Sequence, residues 1–250
     1  GYRFLDCAEF YANEKAVGEG IKRSGVPRSE LFLASKVWTT TIHAGPEAVQ
    51  AQLEKTLADL GTEYVDLYCI HWPVPGKHVA AYQQLEKAHA AGQIRSLGVS
   101  NYAVEDYKEL MKAATVKPTI NQIEINPFLY RKQTIDFFQS KGVVLQSYRT
   151  LRDGKAFTDP TCVGIASKHG KTVAQVLCRW CYQKGFVSIP KSTKASRMAE
   201  NLAIFDFALD EADMATLDRS KAFDANVTIQ ELADAFAAVS KGTRRIKETE

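Results

Sequence analysis

Short apolar runs recur along the chain, and each is followed by a stretch of helical periodicity. The run YRFLDC precedes a helical pattern from about Asn13 to Ser24. LFLASKVW precedes PEAVQAQLEKTLADLG, in which Pro46 marks a helix start and Gly61 its end. YVDLYCIHW leads into a helix from about His78 to Ala91, IRSLGVS into one from about Val104 to Ala114, and TINQIEIN into KQTIDFFQSKG. VVLQSY is followed by a loop and then AQVLCRWCYQKG, and FVSIP by SRMAENLAIF, which makes seven strand–helix units. Apolar runs separated by helices predict strands buried on both faces, joined as parallel βαβ units. A doubly wound sheet and a (β/α)8 barrel both satisfy this pattern, and 250 residues is the barrel's usual size. No linker divides the chain, so a single (β/α) domain is expected over residues 1–250, with 219–250 as a C-terminal loop and helix tail. In that tail Ile229, Leu232, Phe236 and Val239 fall at helical spacing, which predicts a helix packed against the body.

Composition narrows the function classes. The 32 basic and 29 acidic residues leave a net charge of +3, too balanced for a nucleic-acid surface. No apolar run reaches the roughly 18 residues of a membrane span, and no signal-peptide pattern opens the chain. The five cysteines are odd in number and irregularly spaced, as expected of reduced thiols in a cytoplasmic protein. Cys178 and Cys181 form a CxxC inside an apparent helix. Two small packing residues explain it better than a redox or zinc pair, because no second ligand pair accompanies it. No metal site is expected.

Polar residues stand where the apolar runs end: Asp6, Lys36, His71, Ser100 with Asn101, Gln122, Tyr148, and Lys191 after Pro190. In a parallel barrel these carboxyl ends converge on one face, where active sites are built. His71 is the sharpest example, interrupting LYCI just before Trp72 and Pro73. Taken singly, each residue has an ordinary structural reading. Asp6 could be an ion-pair partner, Tyr11 a half-buried aromatic, Lys36 a surface cation and His71 a rim histidine.

Together they resemble a known family. GYRFLDCAEFYANE, SKVW, IHWP, GVSNY, NQIEINP and IPKSTKASRMAENL, in this order from Gly1 to about Leu217, are similar to motifs of the aldo-keto reductase superfamily. The resemblance implies a (β/α)8 TIM barrel that reduces small carbonyl substrates to alcohols with a nicotinamide cofactor. It implies a catalytic tetrad of Asp6, Tyr11, Lys36 and His71. The chemistry suits these types. A phenol has a pKa near 10 and is a sluggish acid at neutral pH; an adjacent ammonium lowers that pKa, and a carboxylate keeps the ammonium charged. A histidine can donate to the carbonyl oxygen and fix its position.

The cofactor residues follow in part from the same resemblance. GEGIKR at Gly18 has Arg23 where the third glycine of a dinucleotide fingerprint belongs, so it is set aside. A strand ending at Pro190, followed by Lys191, Ser192 and Thr193 before a short helix, offers free backbone N–H groups and positive charge to a phosphate. An ordinary basic loop capping a helix is equally compatible with the composition. The resemblance implies Lys191, Ser192 and Arg197 on an adenosine 2′-phosphate and Glu200 and Asn201 on adenine, hence NADPH. It also implies Ser100, Asn101 and Gln122 on the nicotinamide carboxamide and Tyr148 stacked on its ring. Trp38 and Trp72 are candidate walls of the substrate pocket, with core packing the competing role.

Two departures qualify the resemblance. The family's Ser-Pro-Leu after the stacking tyrosine is replaced by Arg149, Thr150 and Leu151, which puts the shape of a phosphate-covering loop in question. The chain also opens without the family's N-terminal hairpin, first strand and first helix, so a longer natural protein is expected. The leading expectation is an NADPH-dependent carbonyl reductase acting as a monomer, without nucleic-acid or membrane partners. The alternatives are a non-catalytic NADPH-binding or regulatory barrel and a barrel glycosidase. For the last, Asp6 and Glu124 are the only strand-end carboxylates, and Lys36 makes Asp6 a poor choice.

Overall fold

A computed structural model describes residues 1–219. Seven strands are present among the described residues: β1 (Phe4–Asp6), β2 (Phe32–Val37), β3 (Leu67–Ile70), β4 (Leu97–Ser100), β5 (Ile120–Glu124), β6 (Val144–Tyr148) and β7 (Val187–Ser188). They pair in chain order, every ladder parallel. A helix lies between each strand and the next, as parallel neighbours require. The result is a curled half-barrel of the (β/α)8 type. Between the alternatives the sequence pattern left open, it is the barrel.

The curl is visible in one hydrogen bond. Gln122 Nε2 on β5 donates to Asp6 Oδ1 on β1 at 2.9 Å, although three strands stand between them in the sheet. Side chains of alternate residues share one sheet face, so Asp6, Lys36 and Gln122 lie on the concave face with Phe4, Ala34 and Ile120 two residues earlier. Those three pack with Leu67 and Cys69 as an apolar plug inside the curl. Gly98 belongs to this layer. A Cβ there would lie 2.6 Å from Cys69 Sγ and 2.8 Å from Ile120 Cγ1, so no larger residue fits without movement. The opposite sheet face and the helices make the main core, which includes Val37, Tyr68, Ile70, Val99, Ile123 and Leu145.

Helix boundaries follow the local signals. Pro46–Leu60 starts on its proline and stops at Gly61, whose φ of 67° is the left-handed geometry a side chain resists. The helix expected to reach Ala114 ends at Leu110. Three helices escaped the sequence reading, one of them Glu211–Arg219. Pro160–His169 is capped by Asp159, which accepts from Cys162 N at 3.0 Å. Thr39–Ala44 directly continues β2. All five cysteines are free and buried; burial pushes Cys178 up to about 12 and Cys181 to about 11, values of unreactive thiols. No helix among the described residues is long and apolar enough to cross a membrane. The tail helix expected around Val227–Ser240 lies outside the described residues.

Candidate active site

The carboxyl ends of the strands gather the polar residues on one face. Asp6 ends β1, and Lys36 stands one residue before the end of β2. The Lys36 ammonium donates to Asp6 Oδ2 at 2.7 Å and to the Cys7 carbonyl at 3.0 Å, and its side chain is fully buried. A buried ammonium persists only when paired and hydrogen-bonded. Burial presses Lys36 toward the neutral amine. The charge of Asp6, then Tyr11, and the hydrogen bond to Asp6 outweigh that pressure, and the net direction is upward. Lys36 therefore stays an ammonium at neutral pH.

Tyr11 enters from the one-turn 3-10 helix Glu9–Tyr11 just beyond β1. Its N–H donates to the Ala8 carbonyl at 3.0 Å, and Ala12 turns the chain away in the left-handed region, with φ 52°. Lys36 Nζ lies 5.2 Å from the centre of the Tyr11 ring. The proximity expected from sequence is present, but the expected acidification is not. Burial is the largest influence on the phenol and raises its pKa; the charge and hydrogen bond of Lys36 pull downward and do not cancel it, while Asp6 adds to the rise. The phenol therefore holds its proton above the ordinary tyrosine range, a correction to the sequence reading.

His71 is the first residue past β3, and its N–H still donates along the ladder to Val37 O at 3.1 Å. Three aromatic rings meet its imidazole edge-on: Trp38 at 4.9 Å, Tyr11 at 6.0 Å and Phe10 at 6.3 Å. Burial, followed by the charge of Lys36, holds its pKa well below the usual histidine value. His71 is thus a neutral imidazole at pH 7, able to donate one N–H. Trp38 is also stacked on Phe10 at 4.1 Å, which makes a flat aromatic wall beside His71. Trp72 is buried, 6% exposed.

A second polar network covers β4 to β6. Ser100 Oγ donates to Gln122 O at 2.8 Å. Gln122 Nε2 donates both to Asp6 and, at 2.5 Å, to Gln146 Oε1, so its carbonyl oxygen is what remains for a ligand. Asn101 sits in the left-handed region at φ 60°, which asparagine tolerates better than most residues. Its Nδ2 donates to His71 O and to Ser100 Oγ, each at 3.1 Å, and its Oδ1 accepts from Tyr148 OH at 2.8 Å. The next residue, Tyr102, is fully buried and pairs with His78 Nδ1 at 3.0 Å, which anchors the turn from below.

Lys191, Ser192, Thr193 and Arg197 lie on the loop after β7 and the start of the helix Ala195–Leu202. Among the described residues no hydrogen bond or ion pair joins them to the tetrad. Ser192 Oγ accepts from Lys194 N at 3.1 Å, which shapes the loop. Lys191 and Arg197 are exposed and have no carboxylate partner among the described residues. Glu200 Oε1 accepts from Thr172 Oγ1 at 2.6 Å, and Asn201 is buried. Arg149, in the loop after the strand, is held by Glu124 at 3.2 Å and by Asp153 at 2.5 Å. Arg149, Arg152 and Asp153 all have positive φ, an uncommon density of backbone strain for residues with side chains.

Gln146 was missed in the sequence. Its signal was available, since it alternates with Tyr148 and so shares the concave face. Phe10 and Glu9 carried no comparable signal.

A sequence model described as Aldo/keto reductase family matches residues 1–222. The chain is 45% identical over 218 residues to a glyoxal reductase of Bacillus subtilis (strain 168), covering 87% of this chain and 78% of that protein. It is 39% identical over 228 residues to methylglyoxal reductase DkgB of Yersinia pestis, covering 88% and 85%. Among solved structures, an aldo-keto reductase of Bombyx mori in complex with NADP superposes with a TM-score of 0.80 and 33% identity, covering 88% of this chain and 78% of that one. Motif order, barrel topology and these similarities agree, and the chain belongs to the aldo/keto reductase family.

Proposed function

We propose that this protein reduces aldehydes or ketones with NADPH, using Tyr11 as the proton donor. The observation that carries the reading is the fully buried Lys36 ammonium, fixed by Asp6 at 2.7 Å, beneath the Tyr11 ring and beside a neutral His71. NADPH supplies hydride to the carbonyl carbon when bound. The remaining work falls to side chains. His71 donates its N–H to the carbonyl oxygen and orients it. Tyr11 gives that oxygen a proton as negative charge develops there. Lys36 stabilises the phenolate left behind, and Asp6 keeps Lys36 charged throughout. Because Tyr11 holds its proton firmly, the donor is loaded at neutral pH. Its acidity becomes useful only when a more basic alkoxide forms against it.

The residues fit a dinucleotide. Gln122 offers its amide oxygen on the concave face, and Tyr148 offers a ring beside Asn101 at the end of β4. Lys191 and Arg197 are cations without carboxylate partners among the described residues, which suits the extra phosphate of NADPH. The glyoxal and methylglyoxal reductases among its relatives make small α-dicarbonyls the first substrates to try. The test is oxidation of NADPH in the presence of methylglyoxal, alongside a cofactor-binding titration. Turnover supports the reductase; tight binding with no turnover across a panel of aldehydes rejects it in favour of a non-catalytic NADPH-binding barrel.

Two further outcomes are expected. Arg197→Ala should weaken NADPH binding by about 10-fold or more and leave NADH unchanged, since a charged hydrogen bond to phosphate contributes about 1.5–3 kcal/mol. Equal losses for both cofactors would remove Arg197 from the 2′-phosphate. The pH profile of carbonyl reduction should be flat from about pH 6 to about pH 9 and decline only above the phenol's raised pKa. The sign follows from the roles: the active forms are protonated Tyr11 and neutral His71, and both prevail across that window. A step near pH 6.5 would mean that His71 titrates normally and is not shielded as described.

A further inference from the structure

Glu9 has no part in the chemistry above, yet its half-buried carboxylate is fully engaged. Oε2 accepts the backbone N–H of Trp38 at 2.6 Å, and Oε1 accepts the Thr41 hydroxyl at 2.6 Å. Hydrogen bonds to an ionised carboxylate are about twice as strong as neutral ones. The partners lie 29 and 32 residues away in sequence. Trp38 stands two residues beyond Lys36, where β2 becomes the helix Thr39–Ala44. Glu9 stands two residues before Tyr11, in the same one-turn helix.

The connection matters because the sheet stops short of it. β1 and β2 are in register only from Phe4↔Phe32 to Asp6↔Ala34. The last ladder bond is Cys7 N–H to Ala34 O at 2.8 Å. Beyond it no backbone pairing between the two strands sets the distance from the Tyr11 turn to β2. That distance is left to side chains, chiefly the Glu9 carboxylate and the Phe10 ring stacked on Trp38 at 4.1 Å. An apolar stack can slide; two charge-assisted bonds of different direction resist sliding.

We propose that Glu9 is a positioning residue whose carboxylate clasps the Tyr11 turn to the end of β2 and thereby holds the phenol against Lys36. The inference rests on Tyr11 being the proton donor. Glu9→Ala is expected to lower kcat for methylglyoxal about 10- to 100-fold, the scale of a displacement near 1 Å. NADPH affinity should be unchanged. The alkaline limb of the pH profile should move upward, because a phenol farther from the ammonium holds its proton more tightly. Glu9→Gln should stay within about 3-fold of the parent with the limb in place, since an amide can accept from Trp38 N–H and donate to Thr41 Oγ. Thr41→Val should lose a few-fold, with the same direction of limb movement, and should add nothing on top of Glu9→Ala, as expected for partners in one contact. If Glu9→Ala does not fold, the Gln and Val variants carry the test. An unmoved alkaline limb in Glu9→Ala or Thr41→Val, or a Gln variant as poor as Ala, overturns the proposal. Tyr11→Phe assayed in parallel separates the two ideas: retained turnover there removes the donor and the clasp together. Lost turnover there with parent-like Glu9→Ala removes only the clasp.

Discussion

Tyr11→Phe should reduce kcat/KM for carbonyl reduction by about 10²–10⁴-fold, the usual contribution of a positioned general acid. The substitution deletes one oxygen and keeps the ring. The edge-on contact with His71 at 6.0 Å and the placement over Lys36 at 5.2 Å both survive. Thermal stability and NADPH affinity should therefore stay at parent values, and the loss should fall on the chemical step. Measured as loss of reduced-nicotinamide absorbance beside a cofactor titration, the two quantities separate cleanly. A variant that retains turnover would show that the proton comes from elsewhere.

Lys36→Met should cost both activity and stability. Removing the ammonium leaves Asp6 with a largely buried charge whose only other side-chain partner among the described residues is the Gln122 amide at 2.9 Å. Breaking one side of a buried pair costs about 3–5 kcal/mol. The double variant Asp6→Asn with Lys36→Met removes both charges and should recover much of that stability while recovering no activity. This contrast separates a structural role for the pair from a chemical one. Denaturant midpoints of the parent and both variants, read with their turnover, provide the check. Activity returning in the double variant would mean that Lys36 serves only the fold.

Much of the site could be read before folding. His71 was conspicuous because it interrupts a run of residues that must be buried, and Lys36 for the same reason in LFLASKVW. Asp6 was visible at a strand end but gained a role only through motif resemblance, since a polar residue there is ordinary, and Tyr11 was recognisable only through that resemblance. Gln146 was legible by alternation and overlooked. Glu9 was not legible at all. Its partners are a backbone N–H and a hydroxyl about 30 residues downstream, and no spacing rule connects them. Thr39–Ala44 was missed for a related reason: it continues a strand directly and is too short to display a period.

The sequence by itself determined the alternation of strand and helix, the parallel arrangement that this alternation forces, and the polar residues that fall at or near the carboxyl ends of most strands. These are local properties, set by apolar periodicity and by the hydrogen-bonding limits of the backbone. Only the tertiary structure decided how tightly the sheet curls, and hence that Gln122 reaches Asp6 from three strands beyond its neighbour. It also decided the direction of the Tyr11 pKa, where burial outweighs the nearby ammonium. Desolvation and Coulomb energies depend on depth and distance in space, and a one-dimensional pattern contains neither.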